Sequence, residues 1–223
     1  IPYHQNTRLK SGVKENSHNY GKRIMNKSVQ NIALGLSTFF LSLSLFAGTP
    51  IDVKQSTVEW VGKKVTGEHS GSLEIQKGEV TIERGHIQSG RFILDMTSIK
   101  VLDIKDEKKN RSLEKHLKHD DFFGVKQYPK AVFEFANATP IKTAKKGEPN
   151  YHFKGDLTLK GITHALEFDA LVDMKKKRTS ASGQIIVDRT KYNIRYKSNK
   201  FFDGLGDRAI YDEFLITFSV QTK

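Results

Sequence analysis

The sequence contains no cysteine among its 223 residues. That absence excludes disulfides, thiolate nucleophiles and thiolate zinc sites, and with them the lipid-modified cysteine of a bacterial lipoprotein anchor. Also missing are the G-x-x-x-x-G-K-[ST] phosphate loop, the G-x-G-x-x-G dinucleotide fingerprint and the H-E-x-x-H zinc spacing. The run GEHSG at residues 67–71 comes near a nucleophile elbow, but Ser70 is fourth where the G-x-S-x-G turn needs it third. It reads more simply as a strand–turn–strand connection. No nucleic-acid-binding motif occurs, and nucleic acid is not an expected partner. Enzyme chemistry finds no foothold, so no catalytic residue, cofactor or metal ion is expected.

No apolar run reaches the roughly 20 residues that a membrane-spanning helix needs. The longest, at residues 32–46, is interrupted by serines. Lys27 precedes it, shortly after Met25, and Ala47 and Gly48 close it with small side chains. This is the pattern of a secretory signal peptide over residues 25–48, and it implies a periplasmic or secreted protein. A retained anchor is the alternative, since a cut after Ala47 leaves Leu45 at the −3 position. Residues 1–24 are polar and aperiodic and read as disordered sequence upstream of the true start. The domain expected to fold is 49–223, long enough for one sizeable core.

The net charge is +12, of which residues 1–48 carry +5, leaving +7 on the folding domain. A field of that size favours solubility and weakly attracts anionic surfaces. The KKKR run at 175–178 reads as a solvated hairpin tip, with transient contact to a membrane surface as the alternative.

From residue 51 onward the chain alternates. Leu166, Phe168, Ala170, Val172 and Met174 share one face of a strand, as do Phe153, Gly155, Leu157 and Leu159 in the strand before it. Phe214, Ile216, Phe218 and Val220 repeat the pattern, and so do Phe92, Leu94 and Met96, then Ala131, Phe133 and Phe135. Period two over so many segments marks half-buried antiparallel strands. Strand-like runs fall near 51–61, 64–75, 78–84, 86–96, 131–138, 151–160, 162–174, 179–188 and 211–221. The one helical candidate is 107–119, where Leu113 and Leu117 lie four apart. The expected fold is all-β, an eight-stranded antiparallel barrel or a sandwich with one short helix. An eight-stranded barrel is either just filled by its side chains or holds one small ligand, and periodicity does not separate the two.

The densest chemistry is HLKHDDFF at 116–123. His116 and His119 are neighbours on a helical turn and, with Asp120, form the alternative reading of a metal-dependent envelope stress protein or enzyme. Structural zinc wants four ligands and catalytic zinc three, however, and a solvated helix C-terminus accounts for the histidines more simply. Asp188 and Arg189 read as an ion pair at a strand end, or as a polar anchor for a ligand.

Four segments in order, HLKHDDFFGVKQYPKAVFEF, GDLTLKGITHALEFD, DRTKYNIRY and GDRAIYDEFLITFSV, together resemble the YceI-like family of exported, lipocalin-like polyisoprenoid-binding proteins. The resemblance covers nearly all of 51–222. It implies an eight-stranded barrel holding a long amphiphilic polyisoprenoid lipid, of isoprenoid quinone or polyprenyl type, as a carrier or storage protein. It also implies that His116, Phe122, Phe123, Tyr128 and Pro129 pack beside the barrel mouth. His119 departs from the family pattern. Alternation alone supplies the expected pore lining: Trp60, Phe92, Leu94, Phe133, Phe135, Phe153, Leu157, Phe168, Ile216 and Phe218.

Overall fold

A computed structural model describes residues 48–175 and 178–223. The expected signal peptide and the residues before it lie outside the described residues, as does the centre of the KKKR run.

The chain runs through β1 (Thr49–Pro50), β2 (Thr57–Lys64), β3 (Gly67–Glu83) and β4 (His86–Val101), then α1 (Glu107–Lys118). It continues through β5 (Lys130–Pro140), β6 (Tyr151–Leu159), β7 (Ile162–Lys175), β8 (Arg178–Asp188) and β9 (Ile210–Gln221). Each of β2 to β9 pairs antiparallel with its neighbour in sequence, and β9 pairs with β2. Eight strands therefore close an up-and-down barrel, so that every ladder group on these strands has a neighbour to pair with. Alternate side chains point to the axis, which makes the lumen wall the main core.

Three expectations are corrected. The runs near 64–75 and 78–84 are one strand, β3, with the alternation reset by a register shift against β4 between Ile75 and Lys77. A bulge inserts a residue without ending the strand, and in sequence it looks like a break. The GEHSG run is not a turn either; it forms the first five residues of β3. At the other boundary, 51–56 is not strand: Val53–Gln55 forms a 3-10 turn capped by the Asp52 carboxylate.

The two ends of the barrel differ. One end carries the β2–β3 turn, the long segment with α1, the β6–β7 turn and the connection 189–209. The other carries the remaining connections and the lead-in 48–56, where Ile51, 3 % exposed, bridges to Thr222. Helix α1 forms although its sequence is mostly charged because its ends are satisfied. The Asp106 carboxylate accepts from Lys109 N (2.8 Å), Glu107 opens the first turn, and Lys115 and Lys118 sit in the last. Glu114 accepts from Val101 N (3.0 Å), and Asn110 donates to Val101 O (2.8 Å) and Ile104 O (3.1 Å), which clamps the helix to the end of β4.

Candidate functional site

The barrel interior is a single apolar cavity running from Ile51 and Thr222 at the lead-in end to Leu117, Phe122, Phe123 and Arg189 beneath the helix. The cavity volume is about 220 Å³. One water needs roughly 10–15 Å³, so this is far larger than a packing defect. The expectation left open in the sequence resolves here: the rings line the wall and leave the axis free.

Glycine achieves this. Phe135 on β5 stands opposite Gly90 on β4 and Gly155 on β6, so it has no side chain directly across from it on either side. A Cβ built on Gly90 would lie 2.5 Å from the Phe135 ring, and one on Gly155 would lie 2.8 Å from Phe135 Cβ. Trp60 likewise stands opposite Gly71, and Phe218 opposite Gly183, where a Cβ would come within 2.6 Å and 3.1 Å of the respective rings. Each ring lies over a bare stretch of neighbouring backbone instead of projecting to the axis. The rings then meet edge to face, tilted or stacked along the wall: Phe135–Phe153 at 5.2 Å, Phe153–Phe168 at 5.4 Å, Phe133–Phe168 at 5.4 Å and Phe168–Phe218 at 5.6 Å between centroids.

Trp60, Phe92, Leu94, Phe122, Phe123, Phe133, Phe135, Phe153, Leu157, Phe168, Ile216 and Phe218 all border the cavity. His116 does not. Its ring stands behind the wall, 4.5 Å from the Tyr196 ring and 5.7 Å from that of Phe122, with Nε2 buried and unpartnered. Tyr128 lies against the β6–β7 turn, where its ring occupies the space above Gly161. Pro129 O accepts from Met96 N (3.0 Å) where β5 begins to pair.

The carboxylate beside the two histidines is Asp121 rather than Asp120. Asp121 Oδ1 is 2.8 Å from His119 Nδ1 and 3.9 Å from His116 Nδ1, while Asp120 presents its backbone carbonyl to Lys160 Nζ (2.7 Å). Among the described residues, no group of three or more His, Asp or Glu side chains is placed to hold a metal ion.

Asp188 and Arg189 do not pair with each other. Asp188 caps the turn that follows β8, accepting from Thr190 N (2.9 Å) and Oγ1 (2.6 Å), and pairs with Lys200 Nζ (3.0 Å). Arg189, only 2 % exposed, donates from Nε to Tyr211 O (3.0 Å), from Nη1 to Ile194 O (2.7 Å) and from Nη2 to Ile210 O (2.9 Å). Burial pushes the guanidinium below its usual pKa, against the attraction of Asp212 and Asp188. Arg189 thus holds the 189–209 connection to the start of β9 while its side chain closes the cavity under Phe122, whose ring centroid is 6.0 Å away.

The wall is interrupted once near this end. On the β2–β9 pair, Gly62 faces Phe214 and Lys64 faces Ile210, so residues 211–213 bulge opposite the single Lys63. Among the described residues bordering the cavity, Lys63, Tyr211 and Glu213 alone are solvent-exposed, and all three belong to this bulge. A Cβ on Gly62 would meet nothing nearer than the Trp60 ring at 4.0 Å. The sequence reading missed this opening, along with Ile51 and Ile99; it singled out Arg189, but as a partner of Asp188 or a ligand anchor and not as the clamp on the 189–209 connection. The visible signal was the set of glycines standing at inward positions of alternating strands.

A closed antiparallel barrel around an apolar channel defines the lipocalin-like class. Within it, this chain belongs to the YceI-like domain family, whose model matches residues 50–222. A UPF0312 protein of Staphylococcus aureus (strain bovine RF122 / ET3-1) is 32 % identical over 95 residues, 40 % of this chain and 50 % of that one. A UPF0312 protein of strain N315 is 30 % identical over the same shares of each chain. The chain spans about half the length of the curated relatives it matches. Among solved structures, BcnA of Burkholderia cenocepacia superposes with a TM-score of 0.59 at 20 % identity, covering 78 % of this chain and 99 % of that one. A polyisoprenoid binding domain from Saccharophagus degradans gives 0.57 at 12 % identity, covering 79 % and 98 %. At these identities the likeness is one of fold.

Proposed function

We propose that the barrel binds a long amphiphilic polyisoprenoid lipid, of isoprenoid quinone or polyprenyl type, along its axis, and acts as a non-catalytic carrier or storage protein in the periplasm or outside the cell. The observation that carries this reading is the continuous apolar channel kept open by glycines opposite its aromatic rings. The likeness to a polyisoprenoid binding domain supports it. Burial of each methylene-sized group contributes about 0.8 kcal/mol gross, hence roughly 3–4 kcal/mol per five-carbon unit. Several units outweigh the cost of ordering a flexible chain.

Two measurements test it. Organic extraction of purified protein followed by mass spectrometry is expected to yield a prenyl-type lipid; its absence from a quinone-rich host would count against the reading. Trp60 is the only tryptophan in the sequence, and it borders the channel. Its emission is therefore expected to quench saturably on titration with a short-chain prenyl quinone. An unchanged emission would show that the channel stays empty of such ligands.

A further inference from the structure

Among the described residues, the β2–β9 bulge lies on the same end of the barrel as six of the seven exposed large apolar side chains. Seven large apolar side chains among the described residues are open to solvent. Val65, Leu102, Ile186, Phe201, Phe202 and Tyr211 belong to the helix end or to strands within two residues of it; only Val53 belongs to the lead-in end. Tyr211 is part of the bulge itself, and Val65 N donates to Ala209 O (3.1 Å) beside it. On the outer face, Ile186, Leu215 and Val61 form one row across β8, β9 and β2, running up to the bulge. Exposed apolar side chains gathered around the mouth of an apolar channel mark an interaction surface.

Its charge indicates the partner. The connection 189–209 holds Arg189, Lys191, Arg195, Lys197, Lys200 and Arg208 against Asp203 and Asp207, a net of +4. Arg189 is buried and Lys200 is paired with Asp188 and Asp212, but Arg195, Lys197 and Arg208 are in no ion pair among the described residues. Arg195 sits 4.7 Å over the Phe201 ring, which places a cation beside the exposed Phe201–Phe202 tip. Aromatic tips flanked by unpaired cations fit the headgroup layer of an anionic bilayer, where rings insert and basic groups meet phosphate. Among the described residues the opposite end is basic too, with Lys54, Arg84, Lys142, Lys145, Lys146, Lys175 and Arg178, but Val53 is the one large apolar side chain exposed there.

We propose that the protein docks on an anionic lipid bilayer through the Phe201–Phe202 tip and the β2–β9 bulge, so that the channel mouth faces the membrane. Docking gives the bound lipid, on the reading above, a dry route between channel and bilayer. The surface itself stands on exposure and charge alone.

Since the sequence has no cysteine, Asn199→Cys gives a single labelling site two residues from Phe201, and Lys146→Cys gives one at the other end. Each full-length variant carries an environment-sensitive nitrobenzoxadiazole label, which reports the face meeting the bilayer whatever else in the chain holds it there. With phosphatidylcholine vesicles containing about 30 mol % phosphatidylglycerol, the label at 199 is expected to blue-shift and brighten several-fold, with little change at 146. Raising salt from about 0.1 M to about 0.5 M is expected to remove most of that response. Phe201→Ser with Phe202→Ser, or Arg195→Glu with Arg208→Glu, is expected to abolish it while circular dichroism stays unchanged. A label at 146 that responds as strongly, a label at 199 that stays silent, or an equal response to pure phosphatidylcholine overturns the proposal. Trp60 quenching without vesicles reads the channel alone, so failure of docking and failure of lipid binding are distinguishable.

Discussion

Gly90 and Gly155 flank Phe135, and each leaves bare backbone where a side chain would push that ring toward the axis. Their value is the volume they decline to occupy. Gly90→Val is expected to force the Phe135 ring inward. That overpacks the wall at a cost of about 1–3 kcal/mol and narrows the channel. Urea denaturation would show the lower midpoint, and weaker Trp60 quenching by prenyl quinone would show the lost space; a stable variant that binds as before would mean the rings have room elsewhere. The phenylalanines themselves were legible from their alternation. Arg189 stood out, but its partners did not, because its three carbonyl acceptors and its charge partner Asp212 lie between five and twenty-three residues away, and only the folded connection brings them together.

The strands were read nearly as they form, since period two survives wherever a strand has one wet face and one buried face. The exceptions are places where backbone hydrogen bonding overrides the side-chain pattern, such as the bulge at Ile75–Lys77 and the 3-10 turn at Val53–Gln55. The two connections at the helix end depend on carboxylates whose importance the sequence could not rank. Asp188 caps the start of one. Asp103 ties the other to β3 through His69 Nδ1 (2.8 Å) and Ser70 N (3.0 Å). Burial alone would raise both carboxyl pKa values, but hydrogen bonds from Thr190 and Lys200 at Asp188, and from His69 and Ser70 at Asp103, hold both below the usual 3.8. Groups of this kind stabilise the fold above their unfolded value, and the contribution is lost as pH falls through the lower folded value. The thermal unfolding midpoint is therefore expected to fall as pH drops below 3.8, with Asp188→Asn flattening that dependence; an unchanged slope in the variant would remove Asp188 from the account.

The barrel is one closed sheet with one interior, and it is expected to unfold as one unit. Trp60 emission and far-ultraviolet circular dichroism should then trace the same urea transition, whereas separated midpoints would reveal an end that melts first. A lipid bound only by the closed form stabilises it by mass action, about 2.7 kcal/mol at a free concentration of 100 times Kd. For a domain of this size that is a rise in Tm of roughly 5–10 °C, measurable by comparing delipidated with reloaded protein.

The seam between β2 and β9 joins Thr57 to Ser219 and Trp60 to Ile216, partners separated by almost the whole domain, while the other pairs of the barrel join strands consecutive in sequence. Loop-closure entropy makes such a distant pairing the slowest to gain. As the chain emerges from synthesis, the earlier strands therefore form an open curved sheet with sticky margins until Ile210–Gln221 arrives. A shortened chain lacking that last segment would remain an assembly hazard, prone to borrow the missing strand from another copy of itself.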